Sequence, residues 1–136
     1  MMNVRAIARG FLVDISTTCL FAATLSIVLF DPGSANVSLA ERLYTSALID
    51  WLCLVGGLAM TGLGGFVAAR MVPQRELTHA TMVGCLSLGV AYLTSTGVCP
   101  FTDWYTFTGL VMAVPVAQMG GVLAGFYNAA HGEASS

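Results

Sequence analysis

The chain has 136 residues, 57% of them hydrophobic and 9% charged, with a formal net charge of −2 and a mean hydropathy of +0.81. A soluble domain of this size carries about 25% charged residues, so these side chains cannot cover a water-facing surface. The near-neutral balance, built on arginine without any lysine, is too small to suggest nucleic acid or an acidic ligand, and no nucleic-acid partner is expected. The chain reads as a single integral membrane domain, 1–136, with the lipid bilayer as its first partner.

A helix needs about 20 apolar residues to cross the hydrocarbon core, and four stretches satisfy this: 6–30, 47–72, 77–96 and 104–127. Lipid offers no partner to an open backbone, and the alternation that a membrane barrel needs is absent. The expected fold is therefore all-α, a four-helix transmembrane bundle. The apolar stretch of the first span is longer than a signal h-region, and no small-x-small cleavage site follows it. Asp14 is the one acid well inside a span, about 12 Å past its start. It shares a face with Ala6, Gly10, Thr18, Ala22 and Ser26, a small and polar ridge that should point into the bundle. An intramembrane carboxylate is a functional candidate by default. One reading makes Asp14 a proton or cation relay. The other, which the sequence favours, makes it half of a buried ion pair with Arg70, Arg9 or His79.

Asp31-Pro32-Gly33 stops the first helix, and Ser38-Leu39-Ala40-Glu41 is a capping-box pattern. One helix from Leu39 to Val72 would be about 50 Å long. Its first turns must project beyond the bilayer or form a separate surface helix. Asn36-Val37-Ser38 matches a glycosylation acceptor, a triplet common by chance. In the second span Cys53, Gly57, Thr61, Gly65 and Ala69 form a small-residue ridge. Pro73 ends it, and a short turn leads to the third span, where His79 lies close to the interface. Cys99-Pro100-Phe101-Thr102-Asp103 forms the next loop, with Asp103 as the N-cap of the fourth span. There Gly109, Ala113, Ala117, Gly121, Gly125 and Ala129 make a second ridge. Such ridges let helix backbones approach closely, which drives association inside lipid. Pro115 is expected to kink this helix, and Gln118 to bond across helices for about 0.6–2 kcal/mol.

Arg5, Arg9, Arg70 and Arg75 fall on one side of the membrane and Arg42 on the other. The positive-inside rule puts both termini in the cytoplasm. Tyr44, Trp51, Trp104 and Tyr105 then form an aromatic belt at the outer interface. The second ridge superposes on the first at a shift of 56, Gly65 on Gly121. The first and third spans correspond at a shift of 70, Arg5-x-x-x-Arg9-Gly10 on Arg75-x-x-x-His79-Ala80. Two helical hairpins repeated in parallel orientation follow. The cysteines fit no metal motif: Cys19, Cys53 and Cys85 read as packing residues, and an oxidising compartment would permit a Cys53–Cys99 bond.

The run Gly64-Gly65-Phe66-Val67-Ala68-Ala69-Arg70, followed after a short loop by Leu77-Thr78-His79-Ala80, resembles small bacterial four-span integral membrane proteins of unknown function. In that group the second span ends in Gly-Gly-aromatic-aliphatic-Ala-x-Arg. The resemblance implies the topology and a bacterial inner membrane, and no activity. The carboxylate in the first span also resembles small multidrug resistance transporters, but the match stops there and at the span count. No nucleotide loop, nucleophile elbow, zinc motif or haem-ligating histidine pair is present, so no enzyme activity, cofactor or metal is expected. The expected function is that of a packing or interaction unit, in a homo-oligomer or with other membrane proteins. The alternative is a small proton-coupled transporter or channel using Asp14.

Overall fold

The computed structural model describes residues 3–29, 47–95 and 103–132, which form four α-helices and no strand. These are α1 (Val4–Leu29), α2 (Ala47–Arg70), α3 (Glu76–Ser95) and α4 (Asp103–Gly132). Each end lies within two residues of the expected span except the last, where α4 runs on past Tyr127 to Gly132. Pro115 sits inside α4 without ending it, on an exposed face. The Asp31–Gly33 stop, the 38–41 capping box, the 36–38 triplet, Tyr44 and Cys99 lie outside the described residues.

Three helices, α1, α2 and α4, are long and apolar enough to cross a membrane. The 20-residue α3 carries Thr78, His79, Thr81 and Ser87 and falls short. Its position explains how it tolerates them. It packs against each of the other three helices, and three of its polar side chains are spent on those neighbours: His79 on Asn3, Thr81 on Gln118 and Ser87 on Asp14.

Every helix pair packs closely except α1 with α4. Asn3 meets His79 and Asp14 meets Ser87, so α1 and α3 run the same way. Gly65 meets Ala117 and Arg70 meets Tyr127, so α2 and α4 also run together. Gly56 lies on Phe21 while Gly64 lies on Asp14, which makes α1 and α2 antiparallel. Two antiparallel hairpins therefore stand side by side. The perimeter runs α1, α2, α4, α3, and α2 touches α3 across the short diagonal.

The glycine pairs form the corners of this arrangement. Consecutive helical residues point about 100° apart, so an adjacent pair can face two neighbours. A Cβ on Gly64 would come 2.7 Å from Asp14 Cβ on α1, and one on Gly65 would come 3.0 Å from Ala117 Cα on α4. A Cβ on Gly120 would come 2.9 Å from Phe66 N on α2, and one on Gly121 would come 2.7 Å from Ala80 Cβ on α3. Each pair faces first the preceding helix of the perimeter and then the following one. Gly84 of α3 is equally close to α4, 2.9 Å from Val114 Cα by the same measure.

Close packing is concentrated at the end where α1 and α3 begin. Ile7, Ala68 and Val83 form one buried cluster, and Ala69, Ala80 and Ala124 form another, with Phe66 packed on it. Further along, Gly56 is still covered by the Phe21 ring, but an added Cβ on Gly57 or Gly89 would meet nothing within 4 Å, and one on Gly109 only Leu54 at 3.6 Å. Gly125 is open too. The reason is length: Gly121 already lies against Glu76, the first residue of α3, so α4 passes Gly125 with no helix opposite. The turn between α2 and α3 closes with Val72 N–H on Ala69 O at 3.0 Å and Arg75 N–H on Val72 O at 3.2 Å. Gln74 adopts φ 81° there, a left-handed conformation costly for a residue with a Cβ.

Candidate functional site

Asp14 stands where α1, α2 and α3 meet, and only 4% of it is exposed. The face that carries it grades from buried Ala6 and Gly10 to half-buried Thr18. Three hydroxyls converge on its carboxyl. Thr61 Oγ1 of α2, itself 8% exposed, donates to Oδ1 at 3.2 Å. Thr18 Oγ1, one turn along α1, lies 3.5 Å from the same oxygen. Ser87 Oγ of α3 donates to Oδ2 in a short contact. Two of these hydroxyls also reach a carbonyl one turn back, a bond that lets a helix carry them. Thr61 Oγ1 is 3.2 Å from Gly57 O and Ser87 Oγ is 2.9 Å from Val83 O.

None of the cations proposed from sequence as Asp14's ion-pair partner occupies that place. Arg70 Nη2 donates to Tyr127 Oη at 3.0 Å, and its guanidinium lies 4.4 Å from the centre of the same ring. Helix rise explains the difference. Arg70 is nine residues past Thr61, about 13 Å along α2 from the carboxylate's level. Arg9 is exposed on α1. His79 is fully buried and is used at both nitrogens. Nε2 accepts the Asn3 backbone N–H at 3.0 Å, and Nδ1 lies 2.9 Å from Arg75 O. A backbone N–H only donates and a carbonyl only accepts, so the ring carries its proton on Nδ1. His79 thereby ties the start of α1 to the start of α3.

The residues expected to pack divide by position. Thr61, Gly65, Ala69, Ala113, Ala117 and Gly121 are buried between helices. Gly57, Gly109 and Gly125 are only half-buried and loosely surrounded. Gln118 Nε2 donates to Thr81 Oγ1 at 3.0 Å, joining α4 to α3. Cys19, Cys53 and Cys85 are free thiols.

At the arginine end Tyr127 is sandwiched. Arg70 covers one side, the His131 ring stacks at 4.0 Å and Phe66 approaches edge-on at 6.2 Å. The Glu76 carboxyl is held below the usual carboxylate range by its own backbone N–H, against a smaller opposing effect of burial, with the Gln74 N–H adding to the lowering. At the other end Trp51 and Trp104 pack with ring centroids 5.3 Å apart.

Sequence reasoning missed Ser87. The signal was its place at i+8 from His79 and i+4 from Val83, one face of α3, but nothing in the sequence ties that face to Asp14. It also missed Gly84, whose role depends on the depth at which α3 meets α4. No group of three or more His, Cys, Asp or Glu side chains gathers among the described residues. No protein-family model, curated protein or solved structure matches the chain.

Proposed function

We propose that this chain is a non-enzymatic integral membrane protein that works as a packing and interaction unit, in a homo-oligomer or within a larger membrane complex. The observation that carries this reading is the closure of the arginine end. Gly10, Gly64, Gly65, Gly84, Gly120 and Gly121 bring neighbouring helices into close contact there, each too near the next helix for a Cβ without a shift. The outward faces of the whole bundle are aliphatic and aromatic, with Leu20, Ile27, Leu93 and Phe126 each at least 70% exposed. All four helices cross the bilayer in this reading, α3 shielded by its neighbours. The membrane is the bacterial inner membrane and both termini are cytoplasmic. Supporting this is the clustering of Arg5, Arg9, Arg70 and Arg75 at one end, where the positive-inside rule places the cytoplasm. A C-terminal tag that reacts with an impermeant reagent in intact cells would contradict that orientation.

The two hairpins are an internal repeat. At shifts of 70 and 56, the α1–α2 contact of Gly10 with Ala68 corresponds to the α3–α4 contact of Ala80 with Ala124. Asp14 with Thr61 corresponds to Gly84 with Ala117.

A second reading, a small ion-coupled transporter or channel, is favoured by one observation: the hydroxyl-ringed Asp14 lies at the border between the closed half and the looser half. Reconstitution separates the two. The interaction unit is expected to move protons or sodium no faster than protein-free liposomes. A flux abolished by Asp14→Asn would overturn it in favour of transport.

A further inference from the structure

We propose that Asp14 Oδ1, Thr18 Oγ1 and Thr61 Oγ1 form a binding site for a hard monovalent cation of sodium's size, entered from the end opposite the arginines. The site follows from the bundle's geometry and rests on neither functional reading above, since a bound ion can serve structure as well as transport.

Charge comes first. Asp14 is buried, and among the described residues its carboxyl is met by hydroxyls alone. A buried carboxylate without a compensating charge is costly, and one carboxylate compensates one positive charge. Donor chemistry comes second: the set is all oxygen, which selects hard cations.

Geometry agrees. An O–H···O hydrogen bond is about 2.7–2.8 Å long, yet Thr61 and Thr18 stand 3.2 and 3.5 Å from Oδ1. Cations of calcium's size, which includes sodium, take oxygens at about 2.3–2.6 Å, so neighbouring ligands at right angles sit about 3.3–3.7 Å apart. The two long contacts fall close to that edge length. Thr61 Oγ1 is equally far from Gly57 O, 3.2 Å, so with a cation bound its one proton can turn from Oδ1 to that carbonyl and leave hydroxyl lone pairs for the ion. Ser87, bonded to Oδ2, fixes the carboxylate plane.

Access is one-sided. Toward the arginine end Gly10 is sealed against Gly64 O and Ala68 Cβ, each 2.6 Å from an added Cβ. Toward the other end the Phe21 ring packs on Gly56, and beside it Thr18 and Gly57 are half-buried, with Gly57 open on its Cβ side. The other hairpin supplies an internal control. Where α1 and α2 place Asp14 against Thr61, α3 and α4 place Gly84 against Ala117 and pack without a polar side chain at that pair. The contact therefore does not require a carboxylate for packing.

The test is thermal unfolding of the full chain in detergent micelles, in sodium, lithium, potassium or choline chloride at equal ionic strength and fixed pH. A ligand of the native state raises the midpoint with the logarithm of its concentration. Sodium is expected to raise it most and choline not at all. Asp14→Asn should abolish the shift. Thr61→Val or Thr18→Val should raise the sodium needed for half the shift by about tenfold or more. These two variants carry the test if Asp14→Asn does not fold. Equal midpoints in sodium and choline chloride would overturn the assignment, as would a sodium shift that all variants retain. A midpoint that follows pH and ignores sodium would make Asp14 a proton site and overturn it equally.

Discussion

Asp14 draws its partners from α2 and α3 at its own depth, and the consequence is measurable in pairs of substitutions. Asp14→Asn with Thr61→Val should show a coupling of about 0.6–1.7 kcal/mol, the range for polar contacts between membrane helices. Asp14→Asn with Arg70→Gln should add within about 0.3–0.5 kcal/mol, because Arg70 is engaged with Tyr127. Unfolding in mixed micelles reads both cycles; strong coupling to Arg70 with none to Thr61 would contradict the arrangement. The inward aim of Asp14 was legible, since Gly10, Asp14 and Thr18 recur every four residues. Its partners were not. Thr78, Thr81 and Ser87 are all hydroxyls of α3, and only the angle at which α3 meets α1 selects Ser87. Arg70 was matched to Asp14 by membrane side alone, and its attraction to Tyr127 emerges only once α2 and α4 are parallel neighbours.

Among elements, the ridges carry unequal loads. Sequence spacing ranks Gly121 and Gly125 alike, four residues apart on one face of α4. The structure separates them, because α3 begins opposite Gly121 and nothing faces Gly125. Gly121→Ala should cost about 1–3 kcal/mol from overpacking on Ala80. Gly125→Ala should be neutral or stabilising by up to about 1 kcal/mol, since alanine loses less entropy in a helix. Equal effects of the two on the unfolding midpoint would remove the distinction. Helix limits were readable from hydropathy and from Pro73. The weaker apolarity of α3 was overlooked because its length suffices; its polar residues make sense only in a helix with three neighbours.

At the scale of the molecule, the proposed packing role draws on two features: glycine contacts that bring the helices close at one end and outer faces that are apolar. All-helical architecture followed from composition, since so few charges cannot coat a soluble surface. The side-by-side hairpin arrangement did not, because a shift between repeats says nothing of whether α1 meets α4. Native mass spectrometry of the chain, extracted from its membrane in mild detergent, tests the proposed role most directly. Assemblies of two or more copies, or a stable complex with another membrane protein, are expected. Single chains alone, at every protein concentration and in the mildest detergent that extracts them, would contradict it.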